Sequence, residues 1–303
     1  MNVRRQHISG VAVAAVTALG LATLSACSDS AAAGNTEKFD VVASFYPMAY
    51  LAEEIGGDHV NVTGLTEPGQ EPHDLEISAK QTAQLQESDA ALYLKGLQPS
   101  VDEAISQSEV RTKIDAATLT SLEEHEHEEG GKDPHIWLDP VKYAEVAEGV
   151  GKAFEKADPD HAADYKKNTA ALVEKLDDLD TKFEDGLKNT DAKVFITTHA
   201  AFGYLAERYG LTEEAISGLD PESEPSAARV KELEKTAKAD GVTTVFHETL
   251  AGHKTARTLA SDAKFKTDVL DPIEGITDKS RGDDYLQVME ANLKALQTAL
   301  GAK

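Results

Sequence analysis

Cysteine is almost absent from this chain of 303 residues, where Cys27 stands alone. A single thiol forms no internal disulfide and no multi-cysteine metal site. Cationic residues are scarce too: 30 Lys and Arg stand against 54 Asp and Glu, giving a formal net charge of -24. Affinity for nucleic acid comes from neutralising phosphates, so this balance argues against such a partner. Aromatic residues make up 6% of the chain, few for the exposed apolar patch that a surface adhesin needs. Long apolar runs are missing as well. The exception, Val11 to Leu24, is too short to cross a membrane comfortably.

What is there begins with that run. Arg4 and Arg5 precede it, and Leu24-Ser25-Ala26-Cys27 ends it, followed by the small, polar stretch Ser28 to Asn35. This order of charged, apolar and small residues is that of a secretory signal. Leu-Ser-Ala-Cys resembles the bacterial lipobox, whose cysteine is acylated and becomes the new N-terminus. Residues 1–26 are therefore expected to be a signal peptide and 27–38 a flexible tether, with the mature protein held outside the cytoplasm on a membrane by lipid at Cys27. The Arg4-Arg5 pair leaves the export route open between the general and twin-arginine systems.

From Phe39 onward apolar strands and helical runs alternate. Val41 to Pro47, Val60 to Leu65 and Ala90 to Leu94 read as strands, with helices over Met48 to Ile55 and Ser78 to Glu87. After Pro140 the pattern is wholly helical. Tyr165, Thr169, Leu172, Leu176, Leu179, Phe183 and Leu187 recur at steps of three and four, one apolar stripe on a long helix from about Pro159 to Lys188. A helix packed along the whole protein fits this stripe better than a dimer zipper, so a monomer is expected. The alternation then resumes: strands at Val194 to Thr198, Val242 to Phe246 and Lys266 to Leu270, helices at Ala200 to Tyr209, Thr249 to Ala260 and Asp284 to Leu300. The expected fold class is α/β, two lobes of parallel sheet flanked by helices and joined by one long rigid helix. The lobes are set at 39–157 and 189–303, with the linking helix at 158–188.

Four residues stand where such a fold gathers ligand groups, beyond the carboxyl ends of its strands. His73 follows the second strand, and His199 directly follows Val194 to Thr198. Asp278 follows Lys266 to Leu270, and His135 sits on the proline-bracketed Asp133-Pro134-His135-Ile136-Trp137-Leu138-Asp139-Pro140, which also holds the one tryptophan. Three imidazoles and a carboxylate suit zinc and the later first-row metals. Just upstream, Glu123 to Gly131 carries His125 and His127 among carboxylates, a loose auxiliary metal loop. His59 and His161, each beside an Asp, read as solvated. His247-Glu248 with His253 has its imidazoles six residues apart with Gly252 between, not the four of a helical metallohydrolase signature. An enzyme is not expected.

These segments resemble a known family. Ser44-Phe45-Tyr46-Pro47, Glu71-Pro72-His73-Asp74, the Asp133-to-Pro140 run, Thr198-His199-Ala200-Ala201-Phe202-Gly203-Tyr204, Glu224-Pro225-Ser226, Thr277-Asp278 and Gly282-Asp283-Asp284-Tyr285 together resemble the zinc-specific solute-binding lipoproteins of bacterial ABC metal importers. That family also holds manganese receptors. The resemblance implies capture of Zn2+ between two lobes by His73, His135 and His199, with Asp278 or water fourth, and delivery to an ABC permease. Manganese relatives tend to carry a carboxylate where this chain has His199, which favours zinc. A manganese receptor is the first alternative and a zinc-dependent hydrolase, with Glu248 as base, a remote second. Between Asp278 and Glu248, the loop setting of Asp278 makes it the expected group to bind the ion or orient a bound water, and Glu248, at a helix start, is expected to be structural or to support a ligand from behind.

Overall fold

The computed structural model describes residues 38–124, 131–250 and 265–303. Cys27, the tether, His125, His127 and most of the helix expected over Thr249 to Ala260 lie outside them. Among the described residues the strands form two four-stranded sheets, each wholly parallel. The first contains β1 (Phe39–Ala43), β2 (Val60–Gly64), β3 (Ala90–Tyr93) and β4 (Thr112–Asp115), in the order β2-β1-β3-β4. The second repeats that order as β6-β5-β7-β8, with β5 (Val194–Thr197), β6 (Thr212–Ala215), β7 (Thr244–His247) and β8 (Lys266–Val269). Parallel strands need crossovers, and helices supply them. The helices among the described residues are α1 (Tyr46–Gly56), α2 (Ala79–Glu87), α3 (Pro99–Gln107), α4 (Pro140–Ala157), α5 (Ala162–Leu187), α6 (Gly203–Arg208), α7 (Ala227–Ala239) and α8 (Tyr285–Leu300).

Strand residues alternate between two faces, and the alternation assigns each to a different core. Val41, Ala43, Ala90 and Leu92 enter the largest apolar cluster, while Val42 and Ala91 enter a smaller one with Leu85, Val101 and Ile105 of α2 and α3. In the second sheet Phe195 and Phe246 face the large cluster, while Ile196 and Val245 face Leu233 and Ala237 of α7. The inner faces of both sheets thus share one apolar interior with α1, α4, α5 and α8.

Helix α5 is the spine of that interior. Its buried residues are the seven of the sequence stripe, Tyr165 to Leu187, and it packs on α1, α4 and α8. Thr169, the polar member, has a specific use. Its hydroxyl donates to the Tyr165 carbonyl at 2.7 Å, and it fills the space over Gly151 of α4, where a Cβ would meet Thr169 Oγ1 at 2.2 Å. A side chain at Gly151 would push the two helices apart.

Helix ends follow local chemistry. Ser78 and Gln81 form a capping box on α2, and Asp139, Ser226 and Asp284 cap α4, α7 and α8. Helix α8 stops at Gly301, in the left-handed region at φ 69°. The linking helix begins later than its sequence pattern, because Pro159–His161 forms a separate 3-10 turn. Four elements, α3, β4, β6 and α7, are not among those expected from the sequence.

Candidate metal centre

Each sheet ends in loops that deliver side chains to one buried point. The β2–α2 loop brings His73, the segment after β4 brings His135, and β5 runs directly into His199. The loop after β8 brings Glu274. One donor atom from each of these four lies within 4.8 Å of all the others. His135, His199 and Glu274 are fully buried, and the His73 side chain is 10% exposed.

The distances to Glu274 match those of a tetrahedral site. Ligand atoms bonded to zinc at about 2.0–2.1 Å stand about 3.3–3.4 Å from one another in a tetrahedron. Glu274 Oε1 stands 3.1 Å from His73 Nε2 and 3.6 Å from both His135 Nε2 and His199 Nε2. Imidazole centroids in such a site fall about 5.2 Å apart, and here they are 5.3, 5.5 and 5.9 Å apart. Nε2 of His135 and His199 is buried without a hydrogen-bond partner, as is Glu274 Oε2. Buried polar atoms left open in this way mark a place for a ligand.

The outer ring nitrogens are held by carboxylates. His135 Nδ1 pairs with Asp133 Oδ1 at 2.8 Å, and His199 Nδ1 with Glu248 Oε1 at 2.7 Å. A carboxylate on the far nitrogen fixes the ring so that Nε2 faces inward, the arrangement common behind metal-bound histidine. Burial works to lower both imidazoles, but these carboxylates override it: His135 is pushed up to about 9 and His199 well above its ordinary value. Burial also works to raise Glu274, and the three imidazoles facing it hold it well below the usual carboxylate range. Glu71, whose Oε1 accepts the His73 amide at 3.0 Å, is raised to about 8 by burial and by the nearby Glu274 charge.

Of the residues singled out in the sequence, His73, His135 and His199 come together, and Asp278 does not. Asp278 is exposed and outside the group, and Glu274 stands in its stead. The reason is the backbone at Asp271-Pro272-Ile273. Ile273 has φ 59°, a left-handed conformation that a β-branched residue rarely adopts, and the chain turns inward at the next residue. Glu248 lies against His199 as a partner rather than within the donor set. A repeated local turn precedes Glu274, although the same turn at Asp139 and Asp220 leads to no donor. Three of the four donors follow an acid-proline pair whose carboxylate accepts the amide after the proline: Glu71 to His73 at 3.0 Å, Asp133 to His135 at 2.8 Å, and Asp271 to Ile273 at 2.8 Å.

Comparison with known proteins identifies a family. Residues 41–299 match the family described as zinc-uptake complex component A, periplasmic. The zinc-binding lipoprotein AdcA of Streptococcus pneumoniae is 38% identical over 291 residues, covering 90% of this chain. This chain spans only 58% of that relative's length. The high-affinity zinc uptake system protein ZnuA of Bacillus subtilis is 35% identical over 301 residues, covering 92% of this chain and 94% of its own. The solved structure of the Zn(II)-bound ZnuA-like domain of S. pneumoniae AdcA superposes with TM-score 0.74 at 37% identity, covering 87% of this chain and 99% of that one. Matched along nearly all of its described length, this chain belongs to the zinc-uptake complex component A family.

Proposed function

We propose that the protein is an extracytoplasmic receptor that captures Zn2+ as cargo and passes it to an ABC permease. The observation that carries this reading is the buried tetrahedron of His73, His135, His199 and Glu274. Three imidazoles with one carboxylate favour zinc, whereas an oxygen-rich shell would suit manganese. All four donors belong to the protein, so the ion is enclosed. A hydrolytic site would keep one position open for water, and this argues for capture over catalysis. The names of the relatives, zinc-binding and zinc uptake proteins, support the same cargo.

In this reading the lobes 39–157 and 189–303 hold the ion between them, with 158–188 as their link, and the receptor acts as a monomer tethered through acylated Cys27. His125 and His127 serve as a loose auxiliary site. The test is metal analysis of protein purified without added metal, then competition titration against a chelator of known affinity. One tightly held zinc that manganese does not displace supports the proposal. A preference for manganese, or zinc binding that survives His199→Ala undiminished, refutes it.

A further inference from the structure

The Pro272–Ile273 peptide group is gripped on both sides. Its carbonyl accepts the indole N–H of Trp137 at 2.7 Å, and its N–H donates to Asp271 Oδ1 at 2.8 Å. Ile273, on which this peptide bears directly, has φ 59° and is fully buried. Strained backbone of this kind persists only where its surroundings over-determine it. A flip of the peptide would relieve the left-handed φ, break both hydrogen bonds and re-aim Glu274, the next residue.

The two sides of the grip have different origins. Asp271 belongs to the second sheet's loop, where Asn292 of α8 accepts its amide at 2.9 Å and donates to its carbonyl at 2.7 Å. Thr249 donates to its Oδ2 at 2.9 Å. Trp137 comes from the other half, two residues after His135. It is fully buried, its carbonyl accepts the Tyr285 hydroxyl at 2.5 Å, and its ring packs on Phe45 with centroids 5.0 Å apart. One indole thus joins the turn that carries His135 to the turn that carries Glu274.

We propose that the Trp137 indole N–H is a positioning group for metal binding: by holding the Pro272 carbonyl it sets Glu274 at its distance from His135. The proposal rests on the zinc reading of the site. The Trp137 ring also packs on the His135 ring, with centroids 5.1 Å apart, but its N–H reaches only the Pro272 carbonyl, so the effect of losing the N–H passes through Glu274 and vanishes when Glu274 is absent.

A double-mutant cycle tests this. Zinc affinity is measured by chelator competition for the wild type, Trp137→Phe, Glu274→Ala and the double variant, with circular dichroism and melting of the zinc-free proteins alongside. Trp137→Phe should weaken zinc about 10–100-fold, the range for losing a group that orients a ligand. The double variant should bind within about threefold of Glu274→Ala, because coupled residues are non-additive. Losses that multiply, or a Trp137→Phe protein that binds like the wild type, overturn the proposal. Should Trp137→Phe not fold, 3-benzothienylalanine at position 137 keeps the indole's shape without its N–H, with the same outcomes read. His199→Ala in the same series separates the two readings: unchanged zinc binding there refutes the site, and a large loss there with multiplying losses in the cycle refutes only the role of Trp137.

Discussion

Replacing Glu274 by alanine should separate the two carboxylates that compete for the fourth position. Glu274 is fully buried with its Oε1 3.1–3.6 Å from three imidazole nitrogens, and Asp278 is exposed. Loss of a group behind a ligand costs 10–100-fold, so loss of the ligand should cost at least about 100-fold. At about 1.4 kcal/mol per decade this is about 2.8 kcal/mol. Zinc stabilises the fold by mass action, so at fixed free zinc the zinc-bound protein should lose that same amount. At about 2 °C per kcal/mol for a chain of this size, the melting increment given by zinc should shrink by about 5–6 °C. The zinc-free variant should itself be less stable, since two buried imidazoles lose the anion they face. Asp278→Ala should change affinity less than about twofold. The assay is chelator competition with paired melts, with and without zinc. The reasoning fails if Glu274→Ala binds within about threefold of the wild type, or if Asp278→Ala loses as much as Glu274→Ala.

Four further outcomes are expected. His135 and His199 are raised above the ordinary 6.5 of histidine. Both therefore hold protons at neutral pH in the zinc-free protein, and zinc should release about two, read by calorimetry in buffers of different ionisation heat. The signs for stability and affinity are opposite. The stabilisation that His135 gives the zinc-free fold is fully present below about 6.5 and fades as pH rises through about 9, whereas zinc affinity rises over that same window. Proton release below about one, or affinity flat from pH 6 to 9, contradicts this. Glu248→Ala should weaken zinc about 10–100-fold by freeing the His199 ring, while Glu248→Gln, which still offers an acceptor, should lose less; equal losses would count against an orienting role. Phe183→Ala, in the fully buried stripe of α5, should cost about 3–5 kcal/mol in denaturant unfolding, and a cost under 1 kcal/mol would mean that α5 is not the spine. Cys27→Ala should leave zinc affinity intact and abolish acylation, and any acyl group found on the variant by mass spectrometry would refute the lipid anchor.

The architecture was legible because periodicity is a property of neighbours along the chain. The stripe from Tyr165 to Leu187 needs no tertiary information, and every one of its residues is buried. Strands β1, β3 and β5 announce themselves as apolar runs for the same reason. Strand β6 does not, since Thr212-Glu213-Glu214-Ala215 sits at a sheet edge with little apolar content, and pairing with β5 alone makes it a strand. The imidazoles were readable because each follows a strand or a proline turn. Glu274 was not, because its inward aim depends on one left-handed residue that sequence gives no reason to place at an isoleucine. The acid-proline pair at Asp271-Pro272 forms the turn that also presents His73 and His135, but the same turn at Asp139 and Asp220 presents no donor, so the pair alone does not single out Glu274.

The shared interior beneath the two sheets has a consequence for how an empty receptor is told from a full one. Phe45 and Trp137 from one half and Phe246 and Ile273 from the other lie in a single apolar cluster with α5 through it. These side chains are not among the four donors, so an ion entering the site displaces none of them. The net charge should change little: a dication arrives, and about two protons should leave the imidazoles that had held them. By charge alone, empty and loaded protein should look nearly alike. On the proposed reading, a permease would have to make the distinction at short range, near His73, the one donor with any exposure.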